Sequence, residues 1–252
     1  MVPDTIFIIP YRDRERHRTF FRNHMKTILE DLDADSYRFY FVHQRDTKPF
    51  NRGAIKNIGF LAMKKEYPDE YKNITFVFND IDVMPFDKNT IPSYKTTQGV
   101  VKHFYGFNFA LGGIVSITGG DFEKLNGFPN FWAWGWEDNE LQRRVEKHSD
   151  MKIDRTTFYP ILSQEMIHFH HGLFRDVNPI EKRRYETITS EGIKDIVLDS
   201  FLTVEDVIEV FNFTTGINPT PERTESLSLG GKFSSRKNHV ARGMQMFMTT
   251  RR

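Results

Sequence analysis

The 252-residue sequence contains no cysteine, which excludes disulfides and thiolate metal sites and fits a reducing compartment. It has no apolar run approaching the roughly 18 residues of a membrane span. Its start, Met1-Val2-Pro3-Asp4-Thr5 before Ile6-Phe7-Ile8-Ile9, has no basic n-region and too short an apolar stretch for a signal peptide. An excess of either charge is missing too. The 35 basic and 34 acidic side chains leave +1, which gives no global reason to expect a nucleic-acid or membrane partner. Aromatic residues are what is plentiful: 24 Phe, 9 Tyr and 3 Trp, enough for a core and for surfaces on which flat rings stack.

The apolar run at residues 6–9, stopped by Pro10, predicts a buried strand. Residues 14–32 predict a helix, with Phe20, Phe21, Met25, Ile28 and Leu29 on one stripe. Residues 37–42 read as a second strand, 51–66 as a second helix and 74–78 as a third strand. This alternation predicts an α/β fold with a mostly parallel central sheet and right-handed crossovers. Ligands of such sheets bind at the carboxyl ends of the strands, where the motifs at 10–14, 50–52 and 80–82 fall. The second half is less regular. Residues 109–118 are strand-like around Gly112-Gly113, a place for close backbone approach or a bulge. A helix is expected at 138–148, a short strand at 166–171, and a helix or strand at 205–211. Residues 1–225 are read as one domain. The Ser/Gly-rich basic stretch at 226–252 is read as a flexible tail, either a polyanion or partner contact or simply solvated.

Three motifs carry chemistry. In Asp80-Ile81-Asp82, alternation on an extended chain would put both carboxylates on one face. Such a pair either binds a hard cation that also holds a diphosphate or forms a solvated turn. His168-Phe169-His170 places two imidazoles on one side of a strand, with His171 facing away. With Asp82 they would make a carboxylate and imidazole shell suited to Mn²⁺; otherwise they are half-buried surface histidines. Trp132, Trp134 and Trp136, at alternate positions beside Gly135, suggest a mobile aromatic flap on which sugars stack. Glu137 and Asp138 open the following helix, as acids favoured near its dipole or as a general base.

In their order, from residue 8 to about 192, these motifs resemble the β-1,4-galactosyltransferase family. Ile9-Pro10-Tyr11-Arg12-Asp13-Arg14 is similar to its nucleotide-binding start. Phe50-Asn51-Arg52 with Asn57-Ile58-Gly59-Phe60 is similar to its next signature, and Phe78-Asn79-Asp80-Ile81-Asp82 to its metal motif. Gly112-Gly113, then Asn126-Gly127-Phe128-Pro129-Asn130 running into the tryptophan block, resembles its hallmark. The resemblance implies a GT-A fold and an inverting, Mn²⁺-dependent transfer of a hexose or N-acetylhexosamine from a UDP-sugar to a carbohydrate or glycoconjugate hydroxyl. It implies that Pro10, Arg12 and Arg14 line the UDP site, with Phe50 on the uracil and Arg52 nearby. Asp80, Ala110 and Gly113 are implied at the donor, Trp134 as the flap residue over donor and acceptor, and Asn139 at the acceptor. Asp138 is implied as the base, with Glu137 assisting. Asp82 is implied as the metal ligand. His168 and His170 match the His-x-His of the branch that galactosylates xylose.

Departures from the family pattern shape these expectations. Asn139 stands where the family has a second Asp, and Ala133 replaces a usual flap Gly. Ala110 aligns with a Tyr that restricts the donor to galactose, so UDP-galactose and UDP-N-acetylhexosamines are both expected donors. Without the disulfides and membrane anchor of animal Golgi members, a soluble chain in a cytoplasmic, bacterial or viral setting is expected. Two other classes compete: a metal-dependent hydrolase on the Asp/His cluster, and a catalytically silent carbohydrate-binding module.

Overall fold

The computed structural model describes residues 1–132, 134–169, 174–177, 183, 190–219 and 225–228. Ala133, His170, His171 and residues 229–252 lie outside the described residues. The chain opens with β1 (Thr5–Tyr11), α1 (Glu15–Ile28), β2 (Tyr37–Gln44), α2 (Arg52–Glu66) and β3 (Thr75–Asn79), the alternation that the periodicity predicts. β1 pairs in parallel with β2 on one side and β3 on the other. The two crossovers therefore run in opposite directions, and right-handed connections place α1 and α2 on opposite faces. The packing agrees residue by residue. Ile6 and Ile8 share a core with Ala54, Ile55 and Ile58 of α2, whereas Phe7, Ile9 and Tyr11 share one with Phe21, Met25 and Ile28 of α1. A strand covered on both faces needs apolar side chains at every position, which is why residues 6–9 do not alternate.

There follow β4 (Val83–Pro85), β5 (Val100–Gly106), β6 (Ile114–Thr118), α3 (Gly119–Lys124) and α4 (Glu137–Glu146). After these come β7 (Lys152–Asp154), β8 (Tyr159–Pro160), β9 (Met166–His168) and β10 (Phe174–Val177). The last strands are β11 (Val197–Val204), β12 (Val207–Thr214) and β13 (Glu225–Ser228). One nine-stranded sheet runs β11-β12-β2-β1-β3-β6-β5-β7, with β8 also on β5. β6 is antiparallel to both β3 and β5, and β11 to β12, so the sheet is mixed around a parallel centre. The segment at 205–211, open between helix and strand, belongs to the β11–β12 hairpin. β13 pairs with β10 and spans the 225/226 boundary expected between domain and tail. Among the described residues no helix is long and apolar enough to cross a membrane.

The register opens the site. The β1–β3 ladder ends at Ile8 opposite Phe78, while β1–β2 continues to Tyr11 opposite His43. Beyond Ile8, β1 and β3 part at their carboxyl ends, the topological switch point where open α/β sheets bind ligands. Pro10 sits past the last β1–β3 pair, so its missing N–H breaks no bond to β3.

Candidate active site

The approach to the crevice is shaped by Arg12. Its guanidinium donates to the carbonyls of Gln44 (3.1 Å), Asp46 (2.9 Å) and Lys48 (2.6 Å), and to the Asp46 carboxylate (3.0 Å). It also lies 5.8 Å from the centre of the Phe50 ring. Arg12 thus builds the 44–50 loop and positions Phe50. Asn51 then caps α2: its side-chain oxygen accepts from the Ala54 N–H at 2.9 Å, and its amide donates to the Asn130 carbonyl at 3.1 Å. With the cap set, Arg52 begins the helix at the crevice.

Five charges meet there. Arg52 donates to both oxygens of Asp80 at 2.9 and 2.7 Å, to Glu137 Oε1 at 2.8 Å, and makes a very short contact with Asp138 Oδ2. One turn further along α2, the Lys56 Nζ lies 3.2 Å from Asp80 Oδ1 and 3.8 Å from Asp138 Oδ1. Burial alone would make Arg52 more acidic, but Asp138, Asp80 and Glu137 together hold its pKa well above the ordinary value. Burial would raise Asp80 as well, yet Arg52 and then Lys56 pull it down to about 2. Asp138 moves the other way. Burial pushes it up to about 6; Arg52 and Lys56 oppose the rise, and Glu137 and Asp80 add to it. The two carboxylates are thus driven apart, as in pairs whose acid and base roles are divided: Asp80 is held ionised between Arg52 and Lys56, while burial favours the neutral form of Asp138. Glu137 and Asp138 do open α4, but no side-chain cap bond forms at its start; both face Arg52.

The glycine pair ties the two acid motifs together. The Leu111 N–H donates to the Asp138 carbonyl at 3.0 Å, and the Asp80 N–H to the Gly113 carbonyl at 2.9 Å. A Cβ on Gly112 would collide with the Asp138 carboxylate, so close approach is the reason for glycine at 112. Beside it, Ala110 is buried, while Phe107 and Phe109 stack at 5.1 Å and are 45% and 60% exposed. The Asn139 amide donates to the Phe109 carbonyl at 3.1 Å. Composition alone did not single out this aromatic pair or Lys56.

Across the crevice, Arg14 donates to Asp82 Oδ2 at 3.2 Å. Asp80 and Asp82 do not share a face through strand alternation: the Val83 N–H returns to the Asp80 carbonyl at 3.2 Å, so the motif is a turn. The two acids accordingly take different cationic partners. Asp82 does sit beside the histidine strand. Val83 pairs with His168 across β4 and β9, and the Phe169 N–H donates to the Asp82 carbonyl at 2.8 Å. The Leu162 N–H donates to the Tyr105 hydroxyl, which lies 3.3 Å from His168 Nδ1. That contact engages Nδ1 of the His168 ring. Asp82 and His168 supply two donors of the types Mn²⁺ accepts. His170 lies outside the described residues, and among the described residues no group of three or more such side chains could hold a metal ion.

The tryptophan block is not a uniform flap. Trp132 is 1% exposed, donates its indole N–H to the Ile217 carbonyl at 2.8 Å and stacks on Phe213. Trp136 sits at the start of α4 with φ 67. Trp134 is 43% exposed, next to Gly135 with φ 113. One tryptophan belongs to the core, one turns the chain, and Trp134 faces outward.

Residues 3–95 match the N-terminal region of glycosyl transferase group 7, and residues 100–172 match the N-terminal domain of galactosyltransferase. The chain is 36% identical over 157 residues to β-1,4-galactosyltransferase 4 of Mus musculus, covering 59% of this chain and 44% of that protein. It is 32% identical over 201 residues to β-1,4-galactosyltransferase 1 of Bos taurus, covering 75% of this chain and 48% of that one. It thus spans under half the length of these relatives. Among solved structures, the catalytic domain of Drosophila β1,4-galactosyltransferase 7 complexed with xylobiose superposes with a TM-score of 0.66 at 21% identity, covering 83% of this chain and 93% of that one. A mutant of that enzyme complexed with manganese, UDP-Gal and xylobiose superposes with a TM-score of 0.61 at 19% identity, with the same coverage. At these identities the likeness speaks for the fold.

Proposed function

Because the chain belongs to the group 7 glycosyltransferase family and has the GT-A fold, we propose that it transfers a hexose or N-acetylhexosamine from a UDP-sugar to a carbohydrate hydroxyl with inversion. The observation that carries this function is Asp138, a carboxylate raised to about 6 by burial and sitting at the switch-point crevice. The Asp138 carboxylate takes the proton from the acceptor hydroxyl as that oxygen attacks the anomeric carbon from the face opposite UDP. Arg52 holds the base from behind, and Gly112 lets the 110–113 loop close against it. Phe50, positioned by Arg12, stacks on the uracil.

Arg14 and Asp82 neutralise each other at 3.2 Å; a diphosphate and its cation would offer each of them an opposite charge. A divalent cation held by Asp82 and His168, with His170 completing the expected set, would neutralise charge developing on the departing diphosphate. Phe107 and Phe109 present exposed ring faces beside Asn139, suited to the C–H face of an acceptor sugar. Trp134, outward next to Gly135, closes over the donor and excludes water. Ala110 leaves the donor pocket open to an N-acetyl group as well as to galactose.

The test is UDP release across a panel of UDP-sugars with Mn²⁺, with and without simple sugar acceptors. Acceptor-stimulated release is expected from at least one of UDP-galactose, UDP-GalNAc and UDP-GlcNAc. Asp138→Asn should lower turnover by about 10²-fold or more while leaving UDP binding intact. Metal-dependent hydrolysis that ignores UDP, or sugar binding without any release, would replace this function by the hydrolase or the silent module.

A further inference from the structure

Lys56 is the cation of the five-charge cluster that the reaction above does not use. It is 1% exposed, although lysines are almost never fully buried unless paired. Its Nζ lies 3.2 Å from Asp80 Oδ1, 3.8 Å from Asp138 Oδ1 and 4.7 Å from the centre of the Phe128 ring. The first contact is a close ion pair. The second is too long for a hydrogen bond, so it supplies charge without a donated proton. The consequence is visible at Asp138. Oδ2 is taken by Arg52, whereas Oδ1 is buried without a hydrogen-bond partner among the described residues.

We propose that Lys56 is a positioning residue for the transfer: its ammonium, anchored on Asp80, keeps Asp138 ionised through space without donating a hydrogen bond to Oδ1. The inference rests on the glycosyl transfer proposed above. A cation hydrogen-bonded to Oδ1 would stabilise the carboxylate equally well but would take up one of the acceptor sites of that oxygen and lower its basicity. Arg52 does that to Oδ2, and a second such contact on Oδ1 would weaken the base further. The groups facing Asp138 are Arg52 and Lys56 from α2, Asp80 from the end of β3 and Glu137 from α4, with backbone and Gly112 from the 110–113 loop. Three carboxylates thus stand against two cations. Without Lys56 they would stand against one, and burial would leave Asp138 protonated over much of the neutral range. When Asp138 accepts its proton, Lys56 keeps Asp80 as a partner, so the cluster is not left with an isolated buried ammonium.

The experiment is kcat/KM for UDP release as a function of pH in the wild type, Lys56→Met and Lys56→Arg, paired with a carboxyl-carbon NMR titration of Asp138. In Lys56→Met the acid limb should move up by about one pH unit, a loss of about tenfold on that limb that fades at alkaline pH. Lys56→Arg should restore most of the limb, and the donor KM should stay within about threefold throughout. Methionine fills the lysine's volume but leaves Asp80 and Asp138 with Arg52 as their one cation, so some loss of stability is expected; thermal melts measure it, and Lys56→Gln replaces Lys56→Met if the latter does not fold. A wild-type acid limb and an unmoved Asp138 titration in the uncharged variant overturn the proposal, as does a uniform loss at every pH. A wild type that releases no UDP from any donor refutes the glycosyl transfer instead, and the NMR titration still decides whether Lys56 controls Asp138.

Discussion

Asp138 can serve as a base only if its carboxylate is held in place, and the absence of a side chain at Gly112 decides whether it is. A methyl group at position 112 would collide with that carboxylate, forcing it off Arg52 or pushing the loop away. Gly112→Ala is therefore expected to lower turnover by about 10–100-fold, the scale of an ångström's misplacement. UDP affinity by calorimetry should stay within about threefold, because Phe50 and Arg12 lie on a different loop. An equal loss of binding and turnover would show that Gly112 serves the nucleotide instead. Some of this was legible in the sequence. Asp80 and Asp138 announce themselves by following a buried strand and opening a helix. Lys56 does not: a lysine in a helix reads as a solvated face, and only the meeting of α2 with β3 and α4 buries it. Arg12 shows its work on the 44–48 backbone only once β1 and β2 are paired.

At the scale of elements, the segment between Trp132 and α4 joins a buried ring to the helix that carries Asp138 through a turn that few residues tolerate. Gly135 and Trp136 have φ values of 113 and 67, and among the described residues nothing lies within 4 Å of a Cβ built on Gly135. Gly135→Ala would thus meet no clash, and its whole effect would come from the backbone. The expected destabilisation is about 1 kcal/mol, or roughly 2–4 °C in a thermal melt. The donor KM should rise by several-fold as Trp134 loses its path over the site. A melt unchanged within error would mean that the turn relaxes without that glycine. Alternation of the three tryptophans suggested one shared platform, but periodicity does not reveal that the Trp132 indole N–H finds a carbonyl at Ile217, 85 residues away. The Asp80–Asp82 motif misleads in a similar way, since the Val83 N–H closes a turn where extended chain was assumed.

For the molecule as a whole, the parallel centre was readable because each βαβ unit encodes its pairing locally, through an apolar strand and the helix that returns the chain. The antiparallel flank was not, because β6 joins β3 and β5 joins β6 through contacts no local pattern announces. What the folded whole imposes on its site is a pH-dependent cost. Asp138 titrates near 6 in the folded chain, against roughly 3.9 when unfolded. Below about pH 4 it is protonated in both states; as pH rises through 6 the folded protein must carry a charge it disfavours, so this group lowers stability across that window. Asp80 has the opposite sign. Depressed to about 2, it stabilises above about pH 4, and that contribution is lost as pH falls toward 2. Asp138→Asn, the variant that abolishes the base, should therefore melt higher than the wild type at pH 7.5. A gap on the order of 3 kcal/mol corresponds to roughly 6–12 °C, closing toward zero at pH 4. Asp80→Asn should melt lower than the wild type at pH 7.5, with its gap narrowing toward pH 2. Melting curves of the three proteins across pH 3–8 distinguish the signs directly. If the Asp138→Asn gap stayed constant with pH, burial would not be what raises the base, and its placement beside Arg52 and Lys56 would need another physical cause.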